Sequence, residues 1–123
     1  MQNFWEIKER SFGTTLTLLS EWDIDRVNEF SNYVNENLKP EKNQNFVVDL
    51  QHVEFIDSMA LGVLIHLKRI FESEGGFVYL LKPSKTVEKV LQQSGVIKIF
   101  TIFHSEPDLI TFIQNKKSEH SGE

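Results

Sequence analysis

Cysteine is absent from the 123-residue chain. A disulfide framework, a thiolate zinc site and a cysteine nucleophile are therefore excluded. Basic charge is also scarce. Thirteen Lys and Arg face eighteen Asp and Glu, for a net charge of −5 and a pI near 5.4. General binding to nucleic acid or to an anionic membrane needs the opposite field. No segment reaches the roughly 18 consecutive apolar residues of a membrane span. The opening residues Met1-Gln2-Asn3-Phe4-Trp5-Glu6 lack the basic region and long apolar run of a signal peptide. A soluble cytoplasmic protein is expected.

Catalytic groupings are equally thin. No two of His52, His66, His104 and His120 stand three to five residues apart, and no His-Glu-x-x-His occurs. Neither a metal nor any other cofactor is expected. Gly75-Gly76 closes a helical pattern instead of opening one, and no Gly-Lys-Ser/Thr follows, so it is no phosphate loop. Asp57, Ser58 and His66 supply the residue types of a hydrolytic triad. Asp57 and Ser58 are sequence neighbours, however, and His66 falls two turns along the same helix, so the three do not converge. The chain is not expected to be an enzyme.

What is present is core material: 40% of residues are hydrophobic, ten of them Phe. That is enough for one domain of ordinary size. Residues 5–10 (WEIKER) and 14–19 (TTLTLL) flank Ser11-Phe12-Gly13 and read as a β-hairpin. An acidic loop, Ser20-Glu21-Trp22-Asp23-Ile24-Asp25, leads to a helix over 25–38 with Val27, Phe30, Val34 and Leu38 inward. Asp25 is its expected N-cap, and Lys39-Pro40 ends it. Residues 46–50 form a short apolar strand of the centrally buried kind. A helix over 58–74 has Ala60, Leu64, Leu67 and Phe71 on its core face, and Gly75 closes it. A strand over 77–81 follows, then a helix over 84–94 stopped by Gly95. Residues 97–103 hold a further strand. Ser105-Glu106-Pro107-Asp108 has capping-box spacing and opens a last helix to about Asn115. Residues 116–123 are a polar tail, expected to be disordered. The order β-β-α-β-α-β-α-β-α predicts an α/β fold: one domain over 1–115, with a mixed, mostly parallel sheet of about five strands and about four helices.

The chain is organised around residues 45–71. An apolar strand ends in a polar turn, a second apolar run (Val53-Glu54-Phe55-Ile56) follows, and Asp57-Ser58 opens a helix at once. Unpaired amides and the helix dipole favour negative charge there. Capping alone explains an Asp-Ser pair at such a point. The surroundings add a second reading. If residues 14–19 and 46–50 are parallel neighbours, the loop bearing Glu21, Asp23 and Asp25 emerges at the same sheet end as Ser58, where sites gather. Met59, Val63 and Ile70 lie on a flank of the helix with His66 beside them. Val63 and Ile70 are expected under a neighbouring helix. Met59 and Trp22 are expected to form an apolar anchor ringed by acids, the alternative for Trp22 being an inward fold.

The segment VVDLQHVEFIDSMALGVLIHLKRI resembles the core motif of the STAS domains, found in anti-sigma factor antagonists and at the ends of sulfate transporters. The family's Asp-Ser-Ser/Thr-Gly-Leu-Gly corresponds to Asp57-Ser58-Met59-Ala60-Leu61-Gly62, and its earlier Gly-Glu-Leu/Ile-Asp to Ser20-Glu21-Trp22-Asp23. Met59, Ala60 and Ser20 depart from that pattern. The resemblance implies a STAS fold and an anti-sigma factor antagonist. In such proteins the Ser after the Asp, here Ser58, is phosphorylated by a serine kinase that doubles as the anti-sigma factor. A PP2C-like phosphatase reverses this, and the unphosphorylated form binds the kinase and frees a sigma factor. Glu21, Trp22, Asp23, Asp57, Ser58 and Met59 are the expected partner-binding residues, in a monomer or weak dimer. The alternative is a constitutive STAS interaction subunit of a transport or stress-signalling complex, using the same face without phosphate.

Overall fold

A computed structural model describes residues 4–19, 22 and 24–121, with side chains to residue 116. Strands β1 (Trp5–Arg10) and β2 (Gly13–Leu18) form the expected hairpin. Then come α1 (Ile24–Asn37), β3 (Asn45–Asp49), α2 (Ser58–Glu72), β4 (Phe77–Leu81), α3 (Lys85–Ser94), β5 (Thr101–Phe103) and α4 (Glu106–Ser121). The sheet order is β1-β2-β3-β4-β5, with β1 antiparallel to β2 and the other pairs parallel. The expected architecture is therefore the one observed.

The sheet is covered on both faces. Leu16, Val48 and Leu80 are register partners across β2, β3 and β4. They join one core with Phe30 and Val34 of α1, Leu64 and Phe71 of α2, and Leu91 of α3. On the other face Val47, Tyr79 and Leu81 pack with Leu109 and Ile113 of α4 and with Phe12 of the hairpin turn. Strands buried on both faces need apolar residues at every position. This explains the unbroken runs FVV and FVYLL, where a half-exposed strand would alternate.

Helix ends follow local chemistry. Ser84 Oγ accepts the Val87 amide at 3.1 Å, and Ser105 Oγ accepts that of Asp108 at 3.3 Å. At the end of α2 the Gly76 amide reaches the Phe71 carbonyl and the Gly75 amide that of Glu72. With Gly75 at φ 82°, this is a Schellman closure, as expected from Gly75-Gly76.

Three details differ from the sequence reading. Asp25 is not a cap, because α1 begins one residue earlier and leaves it in the first turn. Residues 96–98 form a 3₁₀ turn after left-handed Gly95, which shortens β5 to three residues. The backbone of α4 continues to Ser121, beyond Asn115. No Gly or Pro interrupts residues 108–121, and Lys, Gln and Glu there are good helix formers. Lys116 also lies over the Phe77 ring, 3.1 Å from its centre, in a cation–π contact that ties the helix back to β4.

Candidate partner-binding site

β3 hands the chain to α2 through residues 50–57. Leu50, Val53 and Ile56 are buried. Gln51 donates its amide to Asp49 Oδ1 at 2.9 Å, and the Val53 amide reaches the Leu50 carbonyl at 3.0 Å. The connection is thus pinned where it leaves β3. It delivers Asp57 in an extended conformation (φ −108°, ψ −175°), the geometry of an N-cap. Asp57 Oδ1 accepts the Ala60 amide at 3.0 Å. Ser58 is the first residue of α2 and its side chain is exposed. The carboxylate is thus engaged in shaping the helix start, while the hydroxyl beside it faces solvent. A negative group on that hydroxyl would meet the positive end of a 15-residue helix.

β2 and β3 are parallel neighbours, so the β2–α1 and β3–α2 connections emerge at one sheet end. Glu21 and Asp23 lie outside the described residues. Trp22 does not form the expected outward anchor. It is 4% exposed and packs against Phe4 and Phe30 at ring-centre distances of 6.0 and 5.5 Å. A residue of that size beside an aromatic cluster loses more by staying in water than it gains on a rim. Met59, at 39% exposure, does face outward.

Three residues of this end were not recognised in the sequence: Leu19, Ile24 and Phe55, at 45%, 57% and 54% exposure. Phe55 was hidden inside the apolar run 53–56, of which Val53 and Ile56 point inward. The signal was the i, i+3 pair of buried residues, which turns Glu54 and Phe55 out. With Met59, these residues give the Ser58 end of the molecule an apolar surface beside its acids. Elsewhere on the surface, single exposed apolar residues are ordinary.

Next to Ser58, a groove of about 310 Å³ runs between α1 and α2. Val27, Ser31, Met59, Val63 and His66 line it, and Gly62 lies in its wall. Val63 is buried, as expected of a residue under a neighbouring helix. His66 stands two turns from Ser58, about 12 Å along the helix axis, out of proton-transfer reach. Asp57, held at the cap, completes no relay between them. Among the described residues, no helix is long and apolar enough to cross a membrane.

Comparison with known proteins decides the family. The STAS domain model matches residues 5–109. The chain belongs to the STAS domain family. Within it, a Thermotoga maritima protein inferred to be an anti-sigma factor antagonist is 32% identical over 97 residues, covering 78% of this chain and 85% of that protein. A crystal structure of an inferred anti-sigma factor antagonist from Thermotoga maritima superposes with a TM-score of 0.73 at 25% identity, over 89% of this chain and 94% of that one. The antagonist SpoIIAA in its unphosphorylated form superposes with a TM-score of 0.70 at 20% identity, over 90% and 96% of the two chains. At that identity the likeness is one of fold. Asp57 and Ser58, at the α2 N-terminus, fall within the matched span.

Proposed function

We propose that this STAS protein is a non-enzymatic partner switch, an anti-sigma factor antagonist that works in the cytoplasm. Its unphosphorylated form binds an anti-sigma factor with serine kinase activity, the kinase phosphorylates Ser58, and a PP2C-like phosphatase reverses the modification. The observation that carries this reading is the exposed Ser58 hydroxyl at the first position of α2, beside a carboxylate already committed to the cap. Family membership and relatives named as anti-sigma factor antagonists support it.

The switch follows from charge. Phosphorylation adds about −1.5 to −2 charges. The amides and dipole of α2 accommodate them, so the fold is retained and the effect falls on the partner. A partner carboxylate roughly 6 Å away meets repulsion of about 3 kcal/mol per unit charge pair at an effective dielectric near 20. That is roughly a hundredfold in affinity. Partner release needs no refolding.

The test is incubation with ATP and each purified anti-sigma factor kinase of the source organism, followed by intact-mass measurement. The expected result is a gain of one phosphoryl group that Ser58→Ala abolishes. An unmodified chain that still binds the kinase would mark a constitutive interaction subunit instead.

A further inference from the structure

Met59 follows Ser58 directly, at a position where the family motif carries a second Ser or Thr. It holds one of only two sulfur atoms in the chain, since there is no cysteine and the other methionine is Met1, outside the described residues. Methionine ordinarily fills gaps in a core. Met59 does not. It is 39% exposed, while its neighbours Ala60 and Leu61 are buried. Among the described residues it joins neither of the two apolar clusters. The helix start does not depend on its side chain either. Asp57 Oδ1 accepts the Ala60 amide, and the Asp57 carbonyl accepts that of Leu61, both at 3.0 Å. The thioether is therefore open to reagents in solution, and a chemical change at its sulfur leaves the cap and the core untouched.

We propose that Met59 is an oxidation site and that its sulfoxide is a second off-state of the switch, independent of phosphate. The inference rests on the partner-switch reading. The oxidant is a peroxide, with hydrogen peroxide as the simplest case. A lone pair of the thioether sulfur attacks one peroxide oxygen, and the S–O bond forms as the O–O bond breaks. The proton on the transferred oxygen passes to the departing hydroxide, which leaves as water. Sulfur loses two electrons and the peroxide gains them. A thiol-dependent sulfoxide reductase reverses the change: two thiols become a disulfide and the oxygen leaves as water. Oxidation turns a flexible apolar side chain into a polar one. Consecutive Cα atoms are about 3.8 Å apart, so an interface of about 800 Å² per partner centred on Ser58 takes in the exposed Met59 side chain. Desolvating a sulfoxide oxygen against an apolar contact opposes binding. No charge is added. Salt screens the repulsion that a phosphate exerts, and it leaves the sulfoxide's effect in place.

The test treats the full chain with hydrogen peroxide, removes the excess with catalase, and titrates the product calorimetrically with the purified anti-sigma factor kinases of the source organism. Peptide mass mapping locates the added oxygen, and thermal unfolding is run on the same samples. The expected result is one oxygen on Met59, gained at a rate close to that of free methionine, with an unchanged thermal midpoint. Affinity falls by tenfold or more at low and high salt alike, and returns after treatment with methionine sulfoxide reductase and dithiothreitol. Met59→Leu has no sulfur at this position, so its affinity is the same before and after peroxide. A Met59 left unoxidised while free methionine in the same tube is consumed would overturn the proposal. So would a fully oxidised Met59 with unchanged affinity, an equal peroxide-induced loss in Met59→Leu, or a thermal midpoint that drops on oxidation. In each of these cases the phosphate switch stands if Ser58→Asp still weakens binding. If untreated wild type binds none of the kinases, the partner-switch reading and the redox off-state fall together.

Discussion

Asp57 Oδ1 and the Ala60 amide are joined at 3.0 Å, and Ser58, the first of the two residues between them, is left exposed to solvent. The pairing separates two jobs that a single Asp-Ser step could have shared. It predicts that Asp57→Ala lowers unfolding stability by about 1 kcal/mol, the usual cost of a lost cap. Asp57→Asn, which caps comparably, stays within a few tenths of a kcal/mol of wild type. Urea unfolding measures both. Equal losses for the two variants would mean that the carboxylate charge, and not the hydrogen bond, holds the helix start.

Trp22 belongs to the core, and its replacement reads out as folding. Trp22→Ala is expected to cost about 3–5 kcal/mol, the range for a buried aromatic. Partner affinity per folded molecule should change less. An exposed anchor would give the reverse, a mild stability change and a large loss of binding. Thermal unfolding together with titration of the folded fraction distinguishes the two.

Two α2-related glycines have opposite predicted responses. Gly62→Ala stabilises by about 0.5–1 kcal/mol, since it removes a flexible residue from an exposed helix position without creating a contact. Gly76→Ala destabilises by about 1–3 kcal/mol, because its Cβ would collide with the Gln44 carbonyl. Chemical denaturation of the two variants side by side checks the pair.

Most of the architecture was legible because periodicity and punctuation agreed. The 27-30-34 spacing of α1, the unbroken FVYLL of β4 and the glycines at 75 and 95 each fixed an element. What escaped was decided by tertiary contact. The inward turn of Trp22 depends on Phe4 and Phe30, which local pattern does not bring together. Phe55 is outward only because Val53 and Ile56 are held down on either side of it. The extension of α4 depends on propensity plus the Lys116–Phe77 contact, across almost forty residues of sequence. At the site, the exposure of Met59 was legible from its place on the flank of the helix, and the position of Ser58 at the helix start from the Asp-Ser step before the apolar periodicity. The groove beside them was not, since its two walls come from helices that only the sheet sets side by side.

Tyr79 gives a prediction at alkaline pH. Its ring is buried beneath α4, and burial pushes the phenol above its ordinary value. Because the folded-state value is raised, the neutral phenol's contribution is complete below the unfolded value near 10 and is lost as pH rises through the folded one. Its hydroxyl has no hydrogen-bond partner among the described residues. Tyr79→Phe is therefore expected to be more stable at pH 7 by about 1 kcal/mol and to lose less stability above pH 10. Denaturation midpoints at the two pH values test this. A destabilised Tyr79→Phe at pH 7 would show that the hydroxyl is satisfied.

The central claim is that charge at Ser58 releases the partner without disturbing the fold. Its most direct test is the calorimetric affinity of wild type and Ser58→Asp for the cognate anti-sigma factor kinase, with thermal unfolding run on the same samples. The account predicts coincident melting curves and an affinity lower by tenfold or more for Ser58→Asp. Equal affinities on equally folded proteins would contradict it.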